Sequence, residues 1–159
     1  MKYLTSIAIL LLFVSSSFAA EVAVPVNGKK LRCPVCGMFV AQFADWNATI
    51  TFADSTTAVF DGSKDMFKYY LDMKKYAPSR SKDTISTVRV KDYYSREDAD
   101  ALKAYYVIWS DIYGPMGHEP IPFTTEANAK KFLQEHHGKK ILGFQDITLK
   151  LLHSLDNPE

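Results

Sequence analysis

The only two cysteines of the chain, Cys33 and Cys36, stand three residues apart, and that spacing decides what can hold the fold together. A disulfide between them would close a loop so short that its chain-entropy contribution is only about 2 kcal/mol, low for such a bond. The fold therefore has to rest on a conventional hydrophobic core. Of the 159 residues, 47% are hydrophobic and 23% charged, which excludes a disordered chain and suits one globular domain that buries roughly 70% of its unfolded surface. With 19 basic against 18 acidic side chains the formal net charge is +1. No long basic run supplies the electrostatic footprint that binding a phosphate backbone requires, so nucleic acid is not an expected partner.

Residues 1–20 read as a separate object. Lys2 makes a short positive start, Ile7 to Val14 form an unbroken apolar run, and Ser17-Phe18-Ala19-Ala20 supplies the small residues at which signal peptidase cuts. The run is too short to span about 30 Å of hydrocarbon as a permanent helix. A cleaved secretory signal over 1–20 is expected, with the mature chain starting at Ala20 or Glu21. Loss of Lys2 leaves 18 basic side chains (19 less one) against 18 acidic ones. No cysteine follows the apolar run, so no lipid-anchor site is expected. In the oxidising compartment this implies, keeping both thiols for ligation or redox exchange explains Cys33 and Cys36 better than a staple does.

Residues 21–30 read as an extended lead, and a domain over 31–159 follows. Met38 to Phe43, Trp46 to Phe52 and Thr57 to Phe60 are short β-branched and aromatic runs between turn residues, predicted as antiparallel strands. Asp61-Gly62-Ser63 offers helix-starting oxygens, and Met66, Tyr69, Tyr70 and Met73 recur at helical spacing, predicting one amphipathic helix that ends before Pro78. A polar stretch over 78–84 separates halves of about 31–77 and 85–159. Thr87 to Tyr94, Tyr105 to Trp109, Ile121 to Phe123 and Ile141 to Phe144 are predicted strands. Thr124 and Thr125 cap a helix stopped by Gly138 in the left-handed position, and a helix over 146–155 closes the chain. Val59-Phe60-Asp61-Gly62-Ser63 and Pro122-Phe123-Thr124-Thr125-Glu126 lead alike from strand through oxygen-bearing residues into helix. The fold class is α+β in two small sheet-and-helix halves, and the likeness is either that of a duplicated ββαβ unit or generic βα chemistry.

Chemistry concentrates in two segments. Arg32-Cys33-Pro34-Val35-Cys36-Gly37-Met38 puts two thiols and a thioether within six residues. Tyr113-Gly114-Pro115-Met116-Gly117-His118-Glu119-Pro120 adds a second thioether and an imidazole in a Gly- and Pro-rich loop with no obvious core for a methionine to fill. Sulfur ligands favour Cu(I), and imidazole suits copper or zinc. Cys-x-x-Cys is also half of a zinc site, which would need two more Cys or His ligands, or a redox pair, which belongs at a helix start rather than before Phe39-Val40. Lys29, Lys30 and Arg32 precede Cys33 and favour its thiolate. Met66 and Met73 are read as core, and His136 and His137 as structural at a helix end. Asn47-Ala48-Thr49 fits a glycosylation sequon, a triplet common by chance. No Ser-His-Asp spacing, phosphate-binding loop or carboxylate pair at helical spacing stands out, so a binding protein is expected rather than an enzyme.

Cys33-Pro34-Val35-Cys36-Gly37-Met38, Val90-Lys91-Asp92-Tyr93-Tyr94 with Ala101 to Val107, and Gly114-Pro115-Met116-Gly117-His118 leading to Ile121-Pro122-Phe123 together resemble the NosL family, copper-binding accessory proteins of nitrous oxide reductase assembly. The resemblance implies a periplasmic Cu(I) carrier that passes copper towards nitrous oxide reductase through a membrane-associated maturation complex. It also implies an α+β fold similar to that of the organomercurial lyase, with Cys33, Cys36, Met38, Met116 and His118 as candidate copper ligands. Family members are usually lipoproteins, and the missing cysteine at the cleavage site points instead to a soluble periplasmic form. The alternative of another class is a thiol-disulfide oxidoreductase, which would need both cysteines but not Met116. A third is an interaction domain with a structural metal, which would unfold on chelation.

Overall fold

The computed structural model describes residues 31–157, so the expected signal segment and lead, with Lys29 and Lys30, lie outside the described residues. Two antiparallel units of the same strand order make up the α+β chain. In the first, β1 (Ala48–Phe52), β2 (Thr57–Phe60), the helix α1 (Ser63–Leu71) with the short α2 (Met73–Tyr76), and β3 (Ile85–Lys91) follow one another, with β4 (Asp98–Asp100) added at the edge. The sheet order is β2-β1-β3-β4, so β1, the first strand, lies between the second and third. The next elements are β5 (Tyr105–Ile108), a two-stranded hairpin of β6 (Tyr113–Gly114) and β7 (Gly117–His118), β8 (Ile121–Phe123), α3 (Glu126–Glu135) and β9 (Lys140–Gly143). Its sheet order, β8-β5-β9, again centres the first strand. α4 (Leu149–Asp156) closes the chain.

Alternation explains the layering. Ala48, Ile50 and Phe52 of β1 are buried with half-buried threonines between them, the period of a sheet with one face on a core. Ile50 stands opposite both Ala58 and Val88, and Phe60, Met66 and Phe67 lie fully buried in the same cluster. The short β5 is buried on both sides. Tyr106 and Ile108 join that main core, whereas Val107 packs with Ile121, Phe123, Ala129 and Phe132 under α3. The second sheet is thus the middle layer between α3 and the core of the first unit. Truncating a ring such as Phe67 to alanine there costs about 3 to 5 kcal/mol.

Five local expectations are corrected. Met38 to Phe43 is not a strand: only Phe39 bridges, to Arg32, and Val40–Phe43 is a 3-10 turn. The Asn47 amide, with its nitrogen towards three carbonyls, donates to those of Val40, Phe43 and Phe60, which ties the turn down and puts the sequon asparagine to structural use. The single helix is broken at Asp72, whose backbone leaves the helical region and whose carboxylate accepts from Lys75 N to start α2. The polar stretch 78–84 does not divide two halves but links α2 to β3 within the first unit, because β3 pairs with β1. The left-handed residue after α3 is His137 (φ 53°). Gly138 is needed for space, since a Cβ there would meet Val107 Cγ1 at 2.5 Å. Finally, Phe144–Asp146 is a 3-10 turn separate from α4.

Candidate metal centre

The turn carrying the thiols is closed by backbone alone. Cys33 N donates to Met38 O at 2.8 Å and Gly37 N to Cys33 O at 2.9 Å, with Gly37 at φ +80°, a conformation glycine adopts without strain. Arg32 donates to Gly37 O at 2.7 Å and lies over the Phe39 ring. Cys33 is 2% exposed and Cys36 half-buried, and both are free thiols. They face the start of α1. Cys33 Sγ donates to Asp65 Oδ2 at 3.3 Å, and Cys36 Sγ to Asp61 Oδ2 at 3.4 Å. One donor atom from each of Cys33, Cys36, Asp61 and Asp65 lies within 4.8 Å of the others, a group able to hold a metal ion.

Sequence reasoning missed the two carboxylates. Asp61 was read only as a helix-starting oxygen, and Asp65 was not singled out. Helical spacing gives no signal for the pair, because Asp61 stands before the extended N-cap Gly62 and only Asp65 lies in the first turn of α1; the entry of the chain into the helix brings both to the thiols. Each is buried, and Asp61 Oδ1 and Asp65 Oδ1 lack hydrogen-bond partners. Lys68 Nζ lies 3.7 Å from Asp65 Oδ1. Burial, with the charge of Asp61 beside it, holds Asp65 above the ordinary carboxylate range. The expectation of favoured thiolates rested on Lys29 and Lys30, which lie outside the described residues, and on Arg32, for which it is corrected. Burial dominates at both sulfurs, pushing Cys33 far up and Cys36 to about 11, and Arg32 spends its guanidinium on Gly37 and Phe39. Without metal the thiols stay protonated and donate to carboxylates.

The second predicted segment arrives at the same helix. Lys64 Nζ donates to Met116 O at 2.5 Å, Lys64 N to Glu119 Oε2 at 2.8 Å, and Ser63 Oγ to Pro120 O and Glu119 Oε2. The oxygen that caps α1 therefore comes from Glu119 in the distant hairpin, not from Asp61-Gly62-Ser63; the N-cap residue is Gly62, which has no side chain to offer. Met116 and His118 are half-buried. The His118 ring lies between Trp109 (5.0 Å) and Tyr113 (4.7 Å), and its Nδ1 is buried without a partner. His118 is not one of the four clustered donors, and Met38 closes the thiol turn through its carbonyl. Met66 and Met73 are core residues. His136, at the C-terminal cap of α3, packs on Phe132 and meets Asp111 through Nδ1 at 3.1 Å.

A family model describing NosL matches residues 24–152. The chain belongs to the NosL family. In the solved structures, the crystal structure of the copper chaperone NosL from Shewanella denitrificans superposes with a TM-score of 0.64 at 23% identity, over 75% of this chain and 90% of that one, which shows a shared fold. The solution structure of the apo-NosL protein from Achromobacter cycloclastes matches at 24% identity over 69% of this chain and 87% of that one, with a TM-score of 0.46. No curated protein matches the chain. Asp61 just before α1, and Ser63, Lys64 and Asp65 in its first turn, are all at or below 3% exposure.

Proposed function

We propose that this protein is a periplasmic copper carrier that takes up one Cu(I) at Cys33 and Cys36 and passes it on for assembly of the copper centres of nitrous oxide reductase, through a membrane-associated complex. The observation that carries the reading is the placement of two free thiols against Asp65 and Asp61, 3.3 and 3.4 Å away. Thiolate sulfur is the donor class that selects Cu(I). Metal entry displaces the thiol protons, and the carboxylates already hydrogen-bonded to those thiols are placed to relay them to solvent. Met116 and His118, on a hairpin clipped to the same helix, supply the remaining soft and borderline donors, with Met38 beside the thiol turn. A carrier gains from such a set, because two firm ligands and several replaceable ones let the ion leave without unfolding the protein. The copper chaperone from Shewanella denitrificans supports this through its shared fold.

Export, cleavage after residue 19 or 20 and a soluble form without acyl chains belong to the same proposal, since Ser17-Phe18-Ala19-Ala20 is followed by no cysteine. Thiol-disulfide exchange is the weaker reading: it needs a populated thiolate, which burial of both sulfurs opposes. The two carboxylates favour a harder ion such as Zn(II) as the competing cargo. Anaerobic titration against chromophoric competitors separates these. One Cu(I) per chain, transferred rapidly to the competitor and held far more tightly than Zn(II), is the expected result. Met116→Ala should weaken Cu(I) binding with little change in melting temperature. One Zn(II) that resists exchange, or wild-type Cu(I) affinity in Met116→Ala, would count against it.

A further inference from the structure

Glu119 is 2% exposed and occupies a slot between two glycines. A Cβ on Gly62 would come within 3.0 Å of its Oε1, and a Cβ on Gly114 would collide with its Cγ. Its Oε2 accepts from Lys64 N and Ser63 Oγ while its Oε1 is without a partner. A carboxylate at the N-terminal amides of a helix is favoured by the helix dipole as well as by the hydrogen bonds. Lys64, fully buried, reaches the other way: its ammonium holds Met116 O and pairs with Asp156 Oδ1 at 2.9 Å. The residue next along, Asp65, carries the hydrogen bond from Cys33. Two adjacent positions of α1 thus grip the hairpin and the thiol turn respectively.

We propose that Glu119 and Lys64 are positioning residues that hold the hairpin of Met116 and His118 against the first turn of α1, the helix start that faces the thiol pair, so that two segments far apart in sequence act as one copper site. This rests on the reading of Met116 and His118 as donors to carried Cu(I). Glu119 sets the depth of the hairpin against the first turn of α1, and Lys64 fixes its tip through the carbonyl of the residue whose thioether is needed. Neither side chain touches the ion. The role differs from packing, because Glu119 buries a carboxyl group that accepts from Lys64 N and Ser63 Oγ, bonds an apolar side chain of the same size could not make.

The test uses full-length mature protein labelled with carbon-13 in its methionine methyl groups, titrated anaerobically with Cu(I) beside a chromophoric competitor. In wild type the Met116 methyl resonance should move on copper addition. In Glu119→Ala and in Lys64→Met one Cu(I) should still bind at the thiols, the Met116 resonance should no longer respond, and affinity should fall about 10- to 100-fold, the usual effect of losing a residue that orients a ligand. Glu119→Gln, which keeps an oxygen for Lys64 N, should restore the response. If Glu119→Ala does not fold, Lys64→Met carries the test, since Asp156 retains Lys68 at 2.8 Å. Folded variants with the wild-type methyl shift and affinity overturn the proposal. Wild type that binds Cu(I) with no Met116 response overturns it as well. Wild type that takes up no Cu(I) overturns the carrier reading beneath it.

Discussion

The two ββαβ units enter their helices at equivalent points and treat them in opposite ways. In the second unit Thr125 caps α3 with its own side chain, accepting from Asn128 N, and Thr124 to Ala127 are exposed. Thr124 gives its amide and hydroxyl to Asp92, so this helix start is tied down by its own two threonines. In the first unit Gly62 offers no cap, Glu119 reaches in from another element, and two carboxylates, an ammonium and two thiols crowd the same turn. Among the described residues, the buried side-chain nitrogen and oxygen atoms without a hydrogen-bond partner belong to Asp61, Asp65, His118 and Glu119, and of these Asp65 Oδ1 has Lys68 Nζ at 3.7 Å. Buried polar atoms left unpaired cost about 1 to 3 kcal/mol each. One topology thus carries a helix start optimised for folding and another that gives up stability for chemistry.

The largest expected effect separates the units outright. Cys33→Ser and Cys36→Ser should each lower Cu(I) affinity by more than the about 100-fold seen when only an orienting residue is lost, whereas Thr125→Ala should leave it unchanged; competitor titrations of the three variants would show it. The comparison breaks if the second-unit change weakens binding as much. Next in size is the pH dependence. The thiols lose their protons on binding, and burial pushes Cys36 up to about 11 and Cys33 further. Apparent affinity should therefore rise with pH throughout the neutral range, by up to about 100-fold per unit if both bind as thiolates. Flat behaviour between pH 6 and 8 would mean that neither thiol is a ligand.

Smaller effects test the trade of stability for function. Burial raises the Asp65 carboxyl, so its ionised form is disfavoured by folding, and that penalty grows as pH rises from the unfolded-state value through the raised folded one. Asp65→Asn should hold or raise the melting temperature at neutral pH while lowering copper affinity about 10- to 100-fold. A clear loss of stability would show that Asp65 serves the fold. Thr125→Ala should do the reverse, costing about 1 kcal/mol of stability for the lost cap with no change in binding. Asp92 gives the matching pH signature. Burial pushes it up, but hydrogen bonds from Ser95, Thr124 and Tyr94 outweigh that and hold it below the usual range. Its contribution is present above the unfolded-state value and lost as pH falls through the folded one, and Asp92→Asn should remove that part of acid destabilisation.

Most of the sheet was legible because β1, β2, β5, β8 and β9 are short β-branched or aromatic runs with turn residues at both ends, a pattern that burial on a sheet face enforces locally. The Cys-x-x-Cys turn and the Gly-rich loop were legible as chemistry for the same local reason. What escaped depended on contacts between distant segments. Val40–Phe43 has the composition of a strand and becomes a 3-10 turn because Asn47 collects its carbonyls. Asp61 and Ser63 look like caps, and only the arrival of Glu119 frees Asp61 to face Cys36. Glu119 itself carries no local signal, since its burial follows from the two glycines flanking its slot, one in each segment.

The most direct test of the central claim, that the polar start of α1 is a sulfur-based copper site, is X-ray absorption at the copper edge of the Cu(I)-loaded protein and its Cys33→Ser/Cys36→Ser variant. The account predicts a first shell dominated by sulfur in wild type that loses most of its sulfur in the variant. An oxygen- and nitrogen-only shell in wild type, or the same sulfur shell in both proteins, would contradict it.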